Sequence, residues 1–429
     1  MDMTLANPAP NIARCLGAGA FRSALVALLF ASTPLLHAQS RSLDFYLQLA
    51  ETNSPVLKDQ AYRRAALTLD SSEVRAAYGP QVGGNGQFLY APNGAHWGYD
   101  PAITNGGLYS AVVGASVPLF TGGRKQTALD SVALRGNAIQ LGTETALLDL
   151  RQRITDQYIT TFADQRSLAA AEQRSRLLDE EESVLSRLAG QGIYQEVDVM
   201  NLRVNAQAQR IAASKAKALL RNDLLVLNTL CGSADTTLVA LAPLEMAPPV
   251  AFDPTASPNL KQFAVDSLAN DIADRQVDQN YRARLSAVGD AGLNAVAISA
   301  VPNRFGASAG LNLSVPIYDG NKRRSQHARI ALREKSRTAY QDFYADQLAL
   351  RHAQLARALV NADSLLAGTQ HQSADEEKLI DLYRVELEHG LVRLTDLFLA
   401  LENHARTTTD LIQAEADRSR IINALIHLQ

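Results

Sequence analysis

Two acidic residues stand at matching places in the chain: Asp198 in "GIYQEVDV" and Asp396 in "GLVRLTDL", each six residues after a glycine, Gly192 and Gly390. A carboxylate just inside a helix start can cap it by accepting a backbone N–H. Repeated around an axis, the same carboxylate forms a charged ring that selects and gates ions by its field. The two roles are compatible and both stay open, with Arg393 the basic residue at the second return.

A second pair of phrases, "VPLFTGGRKQ" at 117–126 and "VPIYDGNKRR" at 315–324, joins glycine to basic residues as a phosphate-binding loop would. Each, however, closes an alternating apolar stretch and opens a long proline-free one, which makes it a joint. Pro118 and Pro316 suit a strand end, where a missing N–H breaks no ladder. Gly122 and Gly320 permit the bend into a helix, and Asn321, standing where the first phrase has Gly123, tolerates a left-handed backbone. Lys322, Arg323 and Arg324, like Arg124 and Lys125, are placed either to meet lipid headgroups or to form a solvated first helical turn.

No paired-His helix motif, Walker loop or nucleophile elbow occurs, and the histidines lack metal-ligand spacing. The expectation is no enzyme, no cofactor and no metal. A formal charge of −3 without a basic run also excludes a nucleic-acid partner.

The elements that position these residues follow from the prolines. None occurs from Leu119 to Ala242 or from Ile317 to Gln429. An interior proline costs a helix roughly 3 kcal/mol, and both tracts are rich in good helix formers, so both read as helix. Leu147, Leu150, Ile154, Tyr158 and Phe162 recur every three or four positions, the face of a helix that needs a partner. Each tract is broken once, at the Gly192 and Gly390 returns, so each is an antiparallel helical hairpin. The first arm, from Thr121 to Gly190, would be about 100 Å long.

The hairpins repeat. Val315 minus Val117, Gly390 minus Gly192 and Asp396 minus Asp198 are all 198. Matched length implies that both hairpins must reach the same plane.

Before each joint lie two strand-like stretches. Tyr109, Ala111, Val113, Ala115 and Val117 alternate with small or polar residues, as do Ala309, Leu311, Leu313 and Val315. Lipid-out, water-in barrel strands alternate this way, and so does any half-buried sheet. Four strands cannot close a barrel, for which about eight are needed, so copies would have to pool them. Tyr90, Trp97, Tyr99 and Tyr109 cluster near the first strand loop, either as an interfacial girdle or as a packing cluster.

Residues 1–38 carry Arg14 and Arg22, a short apolar run and Ala38, which reads as a secretory signal. Of the two cysteines, Cys231 alone follows it, so no internal disulfide is expected. After residue 38 no run is long and apolar enough for a membrane helix, so any span must be built of strands. The expected organisation is a signal at 1–38, a first repeat at 39–242, a proline-rich linker at 243–256 and a second repeat at 257–429.

In the order and spacing of "NSPVL", "YGPQV", "VPLFTGG", "GIYQEVDV", "VPIYDGNKRR" and "GLVRLTDL", the chain resembles the TolC family of outer-membrane efflux proteins. The resemblance implies a mostly α fold with β-hairpins, built of two repeats. It further implies a homotrimer in which a 12-stranded outer-membrane barrel continues into a periplasmic helical barrel. The implied function is a passive exit duct of tripartite efflux or type I secretion, carrying small molecules or polypeptides. Its implied partners are a periplasmic adaptor at the hairpin tips, near Gly192 and Gly390, an inner-membrane transporter of RND or ABC type, and outer-membrane lipid. Asp198, Asp396 and Arg393 would lie at the periplasmic entrance. Val392 and Leu399 stand where the family has a latch arginine and a further entrance aspartate, so that latch does not transfer. A periplasmic adaptor, which carries one such hairpin rather than two, and a soluble coiled-coil scaffold are the competing readings.

Overall fold

The computed structural model describes residues 40–92, 94–100, 102, 106–389 and 391–428. The signal segment expected at 1–38 and the return glycine Gly390 lie outside the described residues.

Helix α1 (Leu43–Asn53) starts where the Ser42 hydroxyl accepts the Phe45 N–H. It ends at Ser54, whose own hydroxyl caps α2 (Pro55–Ala77) ahead of a proline that needs no N–H partner. Strands β1 (Gln81–Tyr90) and β2 (Gly107–Phe120) follow, then α3 (Arg124–Gly190) and α4 (Glu196–Leu230). An extended linker leads to α5 (Pro258–Asn280), β3 (Arg284–Ala295), β4 (Phe305–Ser314), α6 (Lys322–Glu388) and α7 (Leu394–Ile426).

Two helix pairs of the repeat match exactly in length, α2 and α5 with 23 residues each and α3 and α6 with 67 each, while the return arms α4 and α7 have 35 and 33. At 1.5 Å per residue the long helices span about 100 Å. The offset is 203 at β1 and β3 (284 − 81) but 198 at β2 and β4 (305 − 107), so the first strand pair's loop region is longer. The extra residues fall between strands, where chain length is least constrained.

The strands form one antiparallel sheet in the order β1-β2-β3-β4, so the β2–β3 pairing fuses the two repeats. β1 and β4 are its unpaired edges. Near the sheet α2 packs on α3, α3 on α5 and α5 on α6; towards the hairpin returns the order is α4, α3, α7, α6. At both levels the protein is four elements wide, with α6 at one margin.

Apolar packing holds the long helices at two places. At mid-length Tyr46 and Ala50 of α1 meet Ile154 and Tyr158 of α3 and Leu224 and Leu227 of α4. Tyr158 donates its hydroxyl to the carbonyls of Arg41 (3.0 Å) and Ala242 (2.7 Å), strapping the chain on both sides of the hairpin to α3. Near the returns Leu178, Leu185, Leu202, Leu387, Leu394 and Leu397 join all four helices.

Candidate functional site

The register fixes the sidedness of the sheet, because directly paired residues share a face. Val82 pairs with Ala115, Phe88 with Tyr109, Ala111 with Leu293 and Ala287 with Leu311. Followed through all four strands, that face carries only Gly, Ala, Val, Leu, Phe and Tyr. The opposite face carries every amide, serine and charged side chain of the strands, among them Gln81, Asn85, Ser116, Asp290 and Asn312. Phe88, Tyr90, Tyr109 and Phe305 gather on the apolar face at the end away from the helices, with the Phe88 and Tyr109 rings edge to face at 4.9 Å. Ten to fourteen residues per strand is ample to cross a hydrocarbon core. No helix among the described residues is long and apolar enough to do so.

At the sheet's inner end the two joints share a backbone. Gly122 and Gly123 have φ of 62° and 93°, and Gly320 and Asn321 have 63° and 69°. Gly123 and Asn321 are the left-handed N-caps of the two 67-residue helices. The joints differ at their prolines. Pro118 lies inside β2, opposite Ser286 at a register irregularity, because β3 continues alongside it to Phe120. Pro316 falls beyond β4, which ends at Ser314.

At the opposite end, Gly192 turns the first hairpin with φ 77°. Asp198 accepts the Gln195 N–H at 3.2 Å and so caps α4. Asp396 is exposed in the first turn of α7, and among the described residues its carboxylate has no hydrogen-bond or ion-pair partner. Arg393, the N-cap residue of α7, is exposed beside it.

The outer membrane efflux protein family model matches residues 46–233. Over that span the chain is similar in sequence to the outer membrane efflux protein family, and its likeness of fold to solved channels extends over about 90% of its length. CusC, whose crystal structures concern transmembrane channel formation, superposes with a TM-score of 0.73 at 13% identity, covering 91% of this chain and 92% of that one. VceC of Vibrio cholerae gives 0.69 at 12%, covering 90% and 95%. The CmeC outer membrane channel of Campylobacter jejuni gives 0.70 at 13%, covering 90% and 85%. No curated protein matches in sequence. The family match over residues 46–233 and the shared channel fold place the chain among outer-membrane efflux channels, which are transport proteins rather than enzymes.

In this efflux protein the structure adds groups that no motif marked. Tyr194, in the first return, donates to the carbonyls of Val392 (3.1 Å) and Leu387 (3.4 Å) and so ties the two returns together. Arg384 of α6 donates to Glu181 of α3 at 2.8 Å, and the Glu181 side chain is only 7% exposed. Asp164 of α3 lies near Asp223 of α4; burial first, then the neighbouring Asp223 carboxylate, push its pKa up to about 7. At the second joint His327 is held between Asp274 (2.5 Å) and Asp278 (3.0 Å), and the bond to Asp274 raises its pKa. Arg323 is engaged within the chain, bonded to Asp278 at 2.7 Å and lying over the Tyr281 ring. These pairs join helices far apart in sequence, which is why spacing could not reveal them.

Proposed function

We propose that three copies of this chain close into one export duct, a 12-stranded barrel in the outer membrane continued by a barrel of twelve helices through the periplasm. One observation carries the reading. The sheet has one wholly apolar face and one polar face, and both of its edges, β1 and β4, are unpaired. In hydrocarbon an unpaired edge is untenable, so closure is required. Joining β4 of one copy to β1 of the next keeps every neighbour antiparallel and puts the apolar faces outward. The helical margins, α2 or α4 on one side and α6 on the other, are then paired in the same operation.

The duct is passive. The hairpin tips, with Gly192 and the expected Gly390, are the surface offered to a periplasmic adaptor, through which an RND or ABC transporter supplies the energy. Asp396, exposed and without a partner, is the better gate residue; Asp198 is engaged as a cap. The repeats at 39–242 and 257–429 are the two halves of each subunit and 243–256 their linker. A single-hairpin adaptor and a soluble scaffold both leave the apolar sheet face without an occupant.

The test is native mass spectrometry of the protein extracted from outer membranes, with planar-bilayer recording on the same sample. Three chains and a steady conductance are expected; a monomer or a silent bilayer would refute the duct.

A further inference from the structure

The strands carry two charged residues, Arg284 at the first position of β3 and Asp290 in its middle. Asp290 is on the polar face, exposed, and its carboxylate accepts the Ser308 hydroxyl at 2.5 Å. The residues beside it across the sheet are Gly114 on β2 and Ser308 on β4, and beyond Gly114 is Gly83 on β1. No cation among the described residues pairs with it, and no bulky side chain in its row covers it. A mid-strand carboxylate in a glycine row adds nothing to packing, and on the lipid face it would be destabilising.

We propose that Asp290 sets the charge selectivity of the outer-membrane section of the pore, acting as a ring of three carboxylates at one height of the lumen. This rests on the three-copy duct described above. Twelve strands about 4.8 Å apart and tilted by about 40° make a barrel roughly 24 Å across between backbones. A carboxylate projecting inward then lies about 10 Å from the axis, close to the Debye length at 0.1 M salt and well inside that at 0.01 M. The ring therefore reaches the whole lumen in dilute salt and only its wall in concentrated salt. It draws inorganic and organic cations into the barrel and holds anions back, a filter separate from the hairpin entrance.

The full chain, purified from outer membranes, is recorded in planar bilayers under a KCl gradient, as wild type, Asp290→Asn and Asp290→Lys. Asparagine keeps the size of the side chain and an acceptor for Ser308, and native mass spectrometry checks that each variant still assembles. The wild-type reversal potential should show cation preference at low salt that fades towards 1 M KCl. Asp290→Asn should shift it towards zero, and Asp290→Lys should carry it past the asparagine value towards anion preference. A wild-type chain that forms no pore overturns the duct and this filter with it. A conducting wild-type pore whose reversal potential is the same in both variants overturns the filter alone.

Discussion

The Tyr194 hydroxyl donates to the Val392 carbonyl at 3.1 Å, and the two residues occupy the same place in their repeats, 198 positions apart. One hairpin return therefore holds its own counterpart. A motion that parts the two hairpins has to break this bond, together with the weaker one to Leu387. Tyr194→Phe keeps the ring in the apolar cluster and removes about 1 kcal/mol of hydrogen bonding. If the bond exists only in the closed duct, the open fraction rises about fivefold. Single-channel records would show longer or more frequent openings, and an unchanged open probability would exclude Tyr194 from the gate.

Glu181 and Arg384 link the first arms of the two hairpins within their last three turns before the returns, with the Glu181 carboxylate almost fully enclosed. Arg384→Met leaves that enclosed carboxylate without its partner; because the Arg384 side chain is itself 40% exposed, the cost is that of an unsatisfied buried acceptor, about 1–3 kcal/mol. Glu181→Gln with Arg384→Met should recover most of the loss, since no buried charge then remains. Denaturant unfolding of the four members of the cycle measures the coupling, and additive effects would show that the pair contributes nothing of its own.

How much of this was legible depended on the distance over which each feature is encoded. The helical hairpins were open to reading because proline placement acts locally, and the strand faces because side chains alternate with period two. The role of Asp198 was not, because a cap and a gate both need an acid just after a glycine turn; only the bond to the Gln195 N–H separates it from Asp396. The longer first strand loop escaped because the matched phrases run from Val117 onwards, downstream of it. Tyr194, Glu181 and Asp164 act on partners in other helices, and packing alone determines which residues those are.

Asp164 should make the helical hairpin pH-sensitive. Its folded pKa is raised from the ordinary carboxylate value of 3.8 to about 7, first by burial and then by Asp223, against a smaller opposing effect of Arg420. Between those values the folded chain binds a proton that the unfolded chain has released. The stability it contributes is full below about pH 4 and is lost as pH rises through 7. Asp164→Asn removes the ionisation, so the variant should be more stable than wild type at pH 8 and show a flatter profile from pH 4 to 8. Thermal melts of both proteins across that range decide it, and parallel profiles would mean that Asp164 does not titrate there.

The joints offer a matched comparison within one chain. Gly122 and Gly320 have nearly the same positive φ, 62° and 63°, but different surroundings. A Cβ on Gly122 would fall 2.8 Å from the Arg282 Cβ, whereas one on Gly320 would meet nothing within 4 Å. Alanine at either position bears the left-handed backbone cost of about 1–2 kcal/mol. Only at Gly122 must the chain also yield to a neighbour, for a further cost of about 1–3 kcal/mol. Thermal dissociation of the assembled protein should therefore rank wild type above Gly320→Ala and Gly320→Ala above Gly122→Ala. Asn321→Gly, at φ 69°, should stay close to wild type because glycine adopts that backbone freely. Equal losses for the two alanine variants would mean that backbone strain alone limits the joint and that the contact with Arg282 yields without cost.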